Sequence, residues 1–315
     1  MRIGLLGTGP WAQRVHAPAL ATHPDLRFVG VWGRRPHAAR ALAALHRTAA
    51  FSAVDELFEQ VDAVSIALPP EVQSPLAVRA AASGCHLLLD KPVATDVRQA
   101  AEVVSTAARH GVAGQVFFTL RFDRAVARWV EEQAATGGWS GGHASWLSSV
   151  FTDAANPYAA SPWRREKGPL WDIGPHVLSV LLPTLGPIEA VTASAGAGDA
   201  VHLTFRHGGG ARSTTDLSMT APAEAAATTI ELHGADGTSR MPFRGADPVA
   251  AFHRAIDALL ADSRVDVGPV HVAAGTVRAD GAASCDLEFG LTVVRILAAA
   301  QEALTSGRTV PVTTH

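Results

Sequence analysis

Three side chains in this sequence combine residue types that move protons with spacing that could let them do so: Lys91, Asp172 and His176. Lys91 stands in Asp90-Lys91-Pro92, directly after His86 to Leu89, an apolar run that reads as a short strand. An ammonium at a strand end can hydrogen-bond a carbonyl or hydroxyl oxygen and give or take its proton. Partial burial, or a nearby positive charge, moves its titration toward neutral pH. Pro92 restricts the backbone before it and so limits the lysine's orientations. The other reading is an ordinary surface lysine in a loop. Asp172 and His176 are four residues apart, which puts them on one face of a helix expected from Pro169 to Leu185. Asp172 can orient or charge-stabilise a hydroxyl, and His176 can exchange a proton near neutral pH. The competing account makes Asp172 the N-cap, with Pro175 in the first turn and His176 a core histidine. The remaining histidines have no metal-ligand spacing and no thiol cluster exists, so no metal is expected.

Such groups need a frame, and the frame begins at residue 1. Met1 to Leu6 reads as a buried strand and Gln13 to Thr22 as a helix, joined by Gly7-Thr8-Gly9-Pro10-Trp11-Ala12. This is a G-x-G-x-x-A turn in the strand–turn–helix setting that dinucleotide binding requires. Gly7 permits the tight turn, Gly9 lets the backbone approach a pyrophosphate, and Ala12 lets helix and strand pack closely. Pro10 suits a first helical position, and the free N–H groups there attract an anion. The second strand, Leu26 to Trp32, ends in Gly33-Arg34-Arg35 where a ribose-binding carboxylate is usual. Guanidinium groups match a 2′-phosphate, so NADP is expected ahead of NAD. Alternatively Arg34 and Arg35 are a solvated basic helix start.

From there to Phe118, strands alternate with helices, which implies a doubly wound parallel sheet. Ligands bind outside the carboxyl ends of such strands. Three ends are marked: Gly7 to Ala12, Leu68-Pro69-Pro70, and Asp90-Lys91-Pro92. Beyond Phe118 the rhythm changes. A helix from Arg124 to Ala135 and a strand from His143 to Phe151 precede a long polar loop, Thr152 to Lys167. Alternating runs then cover Ile188 to Ala195, Val201 to Arg206, Ala211 to Met219 and Thr228 to His233, and helices Pro248 to Ala261 and Asp286 to Thr305 finish the chain. The expected organisation is a dinucleotide-binding domain over 1–119 and an α+β domain with an open, mostly antiparallel sheet over 120–315. Trp163 and Arg164 could line a substrate or cofactor pocket, or simply pack together.

The totals exclude several partners. With 26 Lys plus Arg against 29 Asp plus Glu, the net charge is -3, which argues against a nucleic-acid or anionic-membrane partner. Hydrophobic residues make up 48% of 315, enough for two cores. Cys85 and Cys285 stand far apart with no C-x-x-C, as expected of a reducing, cytoplasmic setting. No run reaches the ~18 apolar residues of a membrane span, and the chain opens on a strand rather than a basic leader, so neither anchor nor leader is expected.

The nucleotide turn, the strand-end prolines and Asp90-Lys91-Pro92 together resemble the Gfo/Idh/MocA oxidoreductase family, whose E-K-P motif carries Asp90 here in place of glutamate. The resemblance continues through Leu120-Arg121-Phe122, Trp163-Arg164 and Gly168 to His176, where the family's D-x-x-x-H motif matches Asp172 and His176. It ends in Gly307 to Val312. It implies an NADP- or NAD-dependent dehydrogenase acting on a secondary alcohol or ketone of a sugar, cyclitol or related polyol. Lys91 is then a proton-relay and substrate-binding residue, preceding a cis Pro92. Asp172 and His176 complete the catalytic set, and Arg121, Trp163 and Arg164 meet substrate. Leu68, Pro69 and Asp90 join the glycine turn around the cofactor. A homodimer or homotetramer is expected. Two departures stand out: family members often carry Asn and His where this chain has Pro70 and Gln73, and the glycine run before the second motif is reduced to Gly168-Pro169. Other chemistries on this frame are a hydrolase that retains its NAD, and a non-catalytic NADP-binding sensor; the intact Lys91, Asp172 and His176 argue against the sensor.

Overall fold

The computed structural model describes residues 1–242, 245, 247–264 and 284–313. Chain order runs β1 (Arg2–Leu6), α1 (Ala17–Thr22), β2 (Arg27–Trp32), α2 (Pro36–Leu45), β3 (Ala49–Phe51), α3 (Val54–Phe58), β4 (Ala63–Ile66), α4 (Pro70–Ala82), β5 (His86–Asp90), α5 (Val97–Arg109) and β6 (Gly114–Phe117). There follow α6 (Arg124–Thr136), β7 (Trp139–Leu147), α7 (Pro162–Asp172), α8 (Gly174–Leu185), β8 (Ile188–Ala195), β9 (Val201–His207), β10 (Arg212–Ser218), β11 (Ala227–Gly234) and β12 (Gly237–Arg240). The last are α9 (Pro248–Asp262), α10 (Leu287–Ser306) and β13 (Val310–Pro311).

Two compact units result. The first holds Met1–Asp123, helix α9 and Cys285–Leu291. Its six strands lie in the order β3-β2-β1-β4-β5-β6, all parallel. The central strands read as continuous apolar runs because helices bury both of their faces: Ile3, Leu5, Leu6, Val64, Ile66 and Leu87 to Leu89 are fully enclosed. Helix α5 starts at a true N-cap, the Asp96 carboxylate accepting from the Gln99 N–H. Helix α9 lies against β6 and α1. Phe252 packs on Phe117 and on the His16 ring, with centroids 4.8 and 4.2 Å apart, and His253 Nε2 bonds the Ala19 carbonyl. Gly290, in the first turns of α10, fits against Val93 and Val116, where a Cβ would come within 2.6 Å.

The second unit carries a seven-stranded sheet, β12-β11-β7-β10-β9-β8-β13. One face is covered by α7 and α8, with α6 packed on α8; the other is polar, as the strict burial alternation of β9 shows. The sheet is mostly antiparallel, as expected, though β10 runs parallel to β7, because α7, α8, β8 and β9 intervene before the chain returns. Three details differ from expectation. Two short strands, β12 and β13, were too brief to announce themselves. The expected loop from Thr152 to Lys167 ends in helix, since α7 opens with Pro162 at its first positions. The single helix expected from Pro169 to Leu185 is two helices, α7 and α8, parted at Ile173. In the first unit the helix after the glycine turn also differs: Pro10 begins it, but Ala12–His16 is a π turn before α1. Wider turns of this kind recur at functional sites.

Candidate active site

Within the first unit, the marked loops leave β1, β4 and β5, which are neighbours in the sheet. The turn after β1 is tight: Gly7 has φ 135°, and a Cβ there would lie 2.4 Å from the Ala67 carbonyl oxygen. Only glycine accepts both conditions. Gly9 is the opposite case, since a Cβ there would meet nothing within 4 Å. The turn therefore leaves open space over Gly9 at a helix N-terminus led by Pro10, a fit for a pyrophosphate. Thr8 is buried, and its methyl lies where a Cβ on Gly33 would collide, so the end of β2 also closes tightly on the turn. Arg34 and Arg35 follow, both exposed; Trp11 is half-buried.

Leu68 and Pro69, half-exposed, follow β4, and Pro69 leads into α4. Asp90 closes β5, and its Oδ1 accepts the Lys91 N–H at 2.9 Å. The Lys91–Pro92 peptide is cis. Lys91 is half-buried while Pro92 to Ala94 are enclosed, so the loop is anchored past the lysine. Gln73 is the anchor that sequence reasoning passed over: its buried carboxamide bonds the backbone at Asp90, Pro92 and Val93. Arg121, in the short 3₁₀ turn Thr119–Phe122, is buried in this unit.

Beneath the turn, His16 is fully enclosed, its Nδ1 2.7 Å from Ser65 Oγ, and burial pushes its titration down to about 3. It is a neutral core group near pH 7. Burial likewise raises the Cys85 thiol to about 11, which leaves it protonated and inert.

In the second unit, Asp172 is the last residue of α7, and its carboxylate is not a helix cap. The cap of α8 is Ile173, without a side-chain bond. Asp172 Oδ2 accepts instead from Arg164 Nε at 2.9 Å, both side chains being largely buried. The Arg164 guanidinium lies over the rings of Tyr158 and Trp163, at 5.0 and 4.8 Å. The turn between them is possible because Gly168 takes φ 65° between the two segments of α7. Trp163 and Arg164 are thus joined by packing and also bring the guanidinium to Asp172. His176, in the first turn of α8, is half-exposed and stacks on Trp146 of β7, centroids 5.3 Å apart and planes at 26°. Trp146 and Tyr158, the sole tyrosine of the sequence, were not foreseen; nothing local in their strand or loop marks them. Among the described residues, no group of three His, Cys, Asp or Glu side chains is arranged to hold a metal.

Known proteins match this chain over both domains of its sequence. Residues 1–118 match the model described as an oxidoreductase family with an NAD-binding Rossmann fold, and residues 140–240 match the GFO/IDH/MocA C-terminal domain. The D-glucoside 3-dehydrogenase of Escherichia coli is 29% identical over 201 residues, 59% of this chain and 54% of that protein. The UDP-N-acetylglucosamine 3-dehydrogenase of Acidithiobacillus ferrooxidans is 36% identical over 107 residues, 34% of this chain and 33% of that one. The matched stretch thus spans about half or less of these relatives. Among solved structures, the WlbA dehydrogenase of Bordetella pertussis in complex with NADH and UDP-GlcNAcA superposes with TM-score 0.81 at 20% identity, over 100% of this chain and 99% of that one. Two domain models in sequence, with the glycine turn, the Asp90-Lys91-Pro92 loop and the Asp172/His176 pair in family order, lead to one assignment: the chain belongs to the Gfo/Idh/MocA family of oxidoreductases.

Proposed function

We propose that this chain is a nicotinamide-dependent dehydrogenase or reductase of a secondary alcohol or ketone, on a sugar, cyclitol or related polyol, with NADP preferred over NAD. The observation that carries this reading is the adjacency of β1, β4 and β5, whose carboxyl ends bear the open glycine turn, Leu68-Pro69 and Lys91. Gly7 to Ala12 would hold the pyrophosphate, with Leu68, Pro69 and Asp90 beside the nicotinamide end. Arg34 and Arg35 at the end of β2 would meet the 2′-phosphate, since no carboxylate stands there to repel it. The relatives named above act on sugar derivatives, which supports the substrate class. A cytoplasmic setting and a dimeric or tetrameric assembly belong to the same proposal.

The nicotinamide, when bound, accepts or supplies the hydride. The chain's own groups manage the rest. In the oxidising direction Lys91, as the amine, takes the proton of the substrate hydroxyl while the carbon loses its hydride, leaving a ketone and the Lys91 ammonium. Asp172, held by Arg164, accepts a hydrogen bond from that hydroxyl or its neighbour. His176, braced on Trp146, exchanges the proton onward near neutral pH. Arg121, Trp163 and Arg164 would meet the substrate.

A screen of sugars, cyclitols and ketones with NADP(H) and NAD(H), read by nicotinamide absorbance, tests the proposal. Absorbance change with a polyol, stronger for NADP(H), is the expected result. Conversion without net absorbance change would instead indicate the hydrolase that retains its cofactor, and no conversion would sink both. Lys91→Met should cut kcat by about 100-fold or more while the cofactor Kd, read by fluorescence, stays within about twofold. A fully active Lys91→Met protein overturns the assigned role.

A further inference from the structure

We propose that Gln73 is a positioning residue for Lys91, its carboxamide tying the backbone on both sides of the lysine to α4. The proposal rests on the reading of Lys91 as the proton carrier. Strand β4 pairs with β5 from Ala63↔His86 to Ile66↔Leu89 and then stops. Asp90 is one residue past the last of those pairs, where the Lys91 loop begins, and there Gln73 bonds its backbone. The Asp90 N–H donates to Gln73 Oε1 at 3.1 Å, and Gln73 Nε2 donates to the Asp90 carbonyl at 2.7 Å. These two bonds close a ring between the carboxamide and the backbone of Asp90.

The same Nε2 reaches past the lysine to the Pro92 carbonyl at 3.0 Å and the Val93 carbonyl at 3.4 Å. One side chain therefore ties the backbone on both sides of Lys91. Gln73 is itself fixed: it is 1% exposed, sits in the first turn of α4, and its N–H bonds the Pro69 carbonyl at 2.9 Å. Helix α4 thus transmits its position to the loop.

Residue type matters here. A carboxamide carries an acceptor and two donors on one planar group, with the oxygen and one N–H on the same edge. An imidazole carries its nitrogens on diverging edges and cannot engage the N–H and C=O of one residue together. The amide also has no proton to release near neutral pH, so position 73 orients the loop and relays nothing.

The test uses the full chain with Gln73→Met, of similar length without hydrogen bonds, and Gln73→Glu, which keeps an acceptor but turns lone pairs toward three carbonyls. Both are first matched to wild type in thermal midpoint and circular dichroism, and whichever stays folded carries the experiment. In Gln73→Met, hydrogen exchange at the Asp90 amide should be about threefold faster or more, in line with loss of the Gln73 oxygen as an acceptor; in Gln73→Glu the change should fall on the Pro92–Val93 side of the loop. Amine-selective labelling of Lys91 should change in rate relative to Lys167. With an active substrate, kcat should fall roughly 10- to 100-fold, the size of effect that small misplacement of a catalytic group brings, while NADP binding stays within about twofold. Wild-type kcat in a folded variant overturns the proposal, as does an equal loss of NADP binding and kcat, which would mean general disruption. A wild-type chain inactive on every polyol removes the proposed activity instead. In that event exchange and Lys91 labelling decide on Gln73 by themselves, and wild-type values of both overturn it.

Discussion

Two residues show how burial and pairing divide groups that work from groups that hold. Arg164 is sandwiched by Tyr158 and Trp163 and spends its Nε donor on Asp172. Removing one partner of a largely buried pair leaves the other charge uncompensated, so Arg164→Ala should raise KM for the polyol by about tenfold or more and lower stability by roughly 1–3 kcal/mol. Arg164→Lys should recover little, because an ammonium neither stacks as a planar guanidinium does nor presents its fork. Steady-state kinetics and urea melts of both variants check this; unchanged kinetics in Arg164→Ala would separate the pair from the chemistry. His16 is the counterpart. Its folded titration lies at about 3, below the ordinary 6.5, so the folded chain binds fewer protons than the unfolded one. Its contribution to stability is therefore complete above 6.5 and is lost progressively as pH falls from 6.5 toward 3. The expected slope is up to about 1.4 kcal/mol per pH unit over that window. Denaturant midpoints between pH 7 and pH 5 should show it in wild type and show less of it in His16→Asn. Equal slopes in the two proteins would place the acid sensitivity elsewhere.

At the scale of elements, the first glycine turn offers a clean contrast. Gly7 is required by the chain itself, with φ 135° and a carbonyl 2.4 Å from its missing Cβ, whereas the space over Gly9 is empty. Gly7→Ala should thus destabilise the chain by roughly 1–3 kcal/mol. Gly9→Val should leave the melting point nearly unchanged yet weaken NADP binding by about tenfold or more, because its side chain would fill the approach to the pyrophosphate. Thermal melts and cofactor titration separate the two; tight NADP binding by Gly9→Val would dislodge the turn as the cofactor cradle. The strand and the glycine spacing of this turn were legible in the sequence as local signals, whereas the π turn over Ala12–His16 that follows was not. The Asp172/His176 element was legible only in part. Four-residue spacing suggested one helical face, but the break at Ile173 and the Arg164 partner depend on the Gly168 bend and on a helical turn at Pro162 hidden among polar residues. Gln73 stood out in the sequence as a departure able to hydrogen-bond but not to relay a proton; its partners appear only once α4 and the loop after β5 are seen to meet.

For the whole molecule, what the sequence could not convey was where distant segments return. The first sheet's strand order follows from alternating elements with right-handed crossovers. The parallel meeting of β7 with β10 and the placing of α9 have no such local rule. An amphipathic helix states that it has a partner, not which one. Helix α9 begins 131 residues after β6 ends at Phe117 (248 − 117), yet it completes the core there: Phe252 fills the space beside His16 and Phe117, and Gln115 Nε2 bonds the Asp262 carboxylate. His23, nearly enclosed, meets Asp257 at 3.1 Å. Cys285 adds its carbonyl to the Val116 N–H. A fragment of residues 1–123 therefore keeps all six strands but lacks the cover for its sixth. It should behave as a partly ordered, aggregation-prone chain exposing Phe117, rather than as a free-standing nucleotide domain. Phe252→Ala in the full chain should cost about 3–5 kcal/mol for the same reason. If the fragment instead melts cooperatively near the full-length midpoint and binds NADP with the same Kd, α9 is an attachment to the first unit and not part of its core.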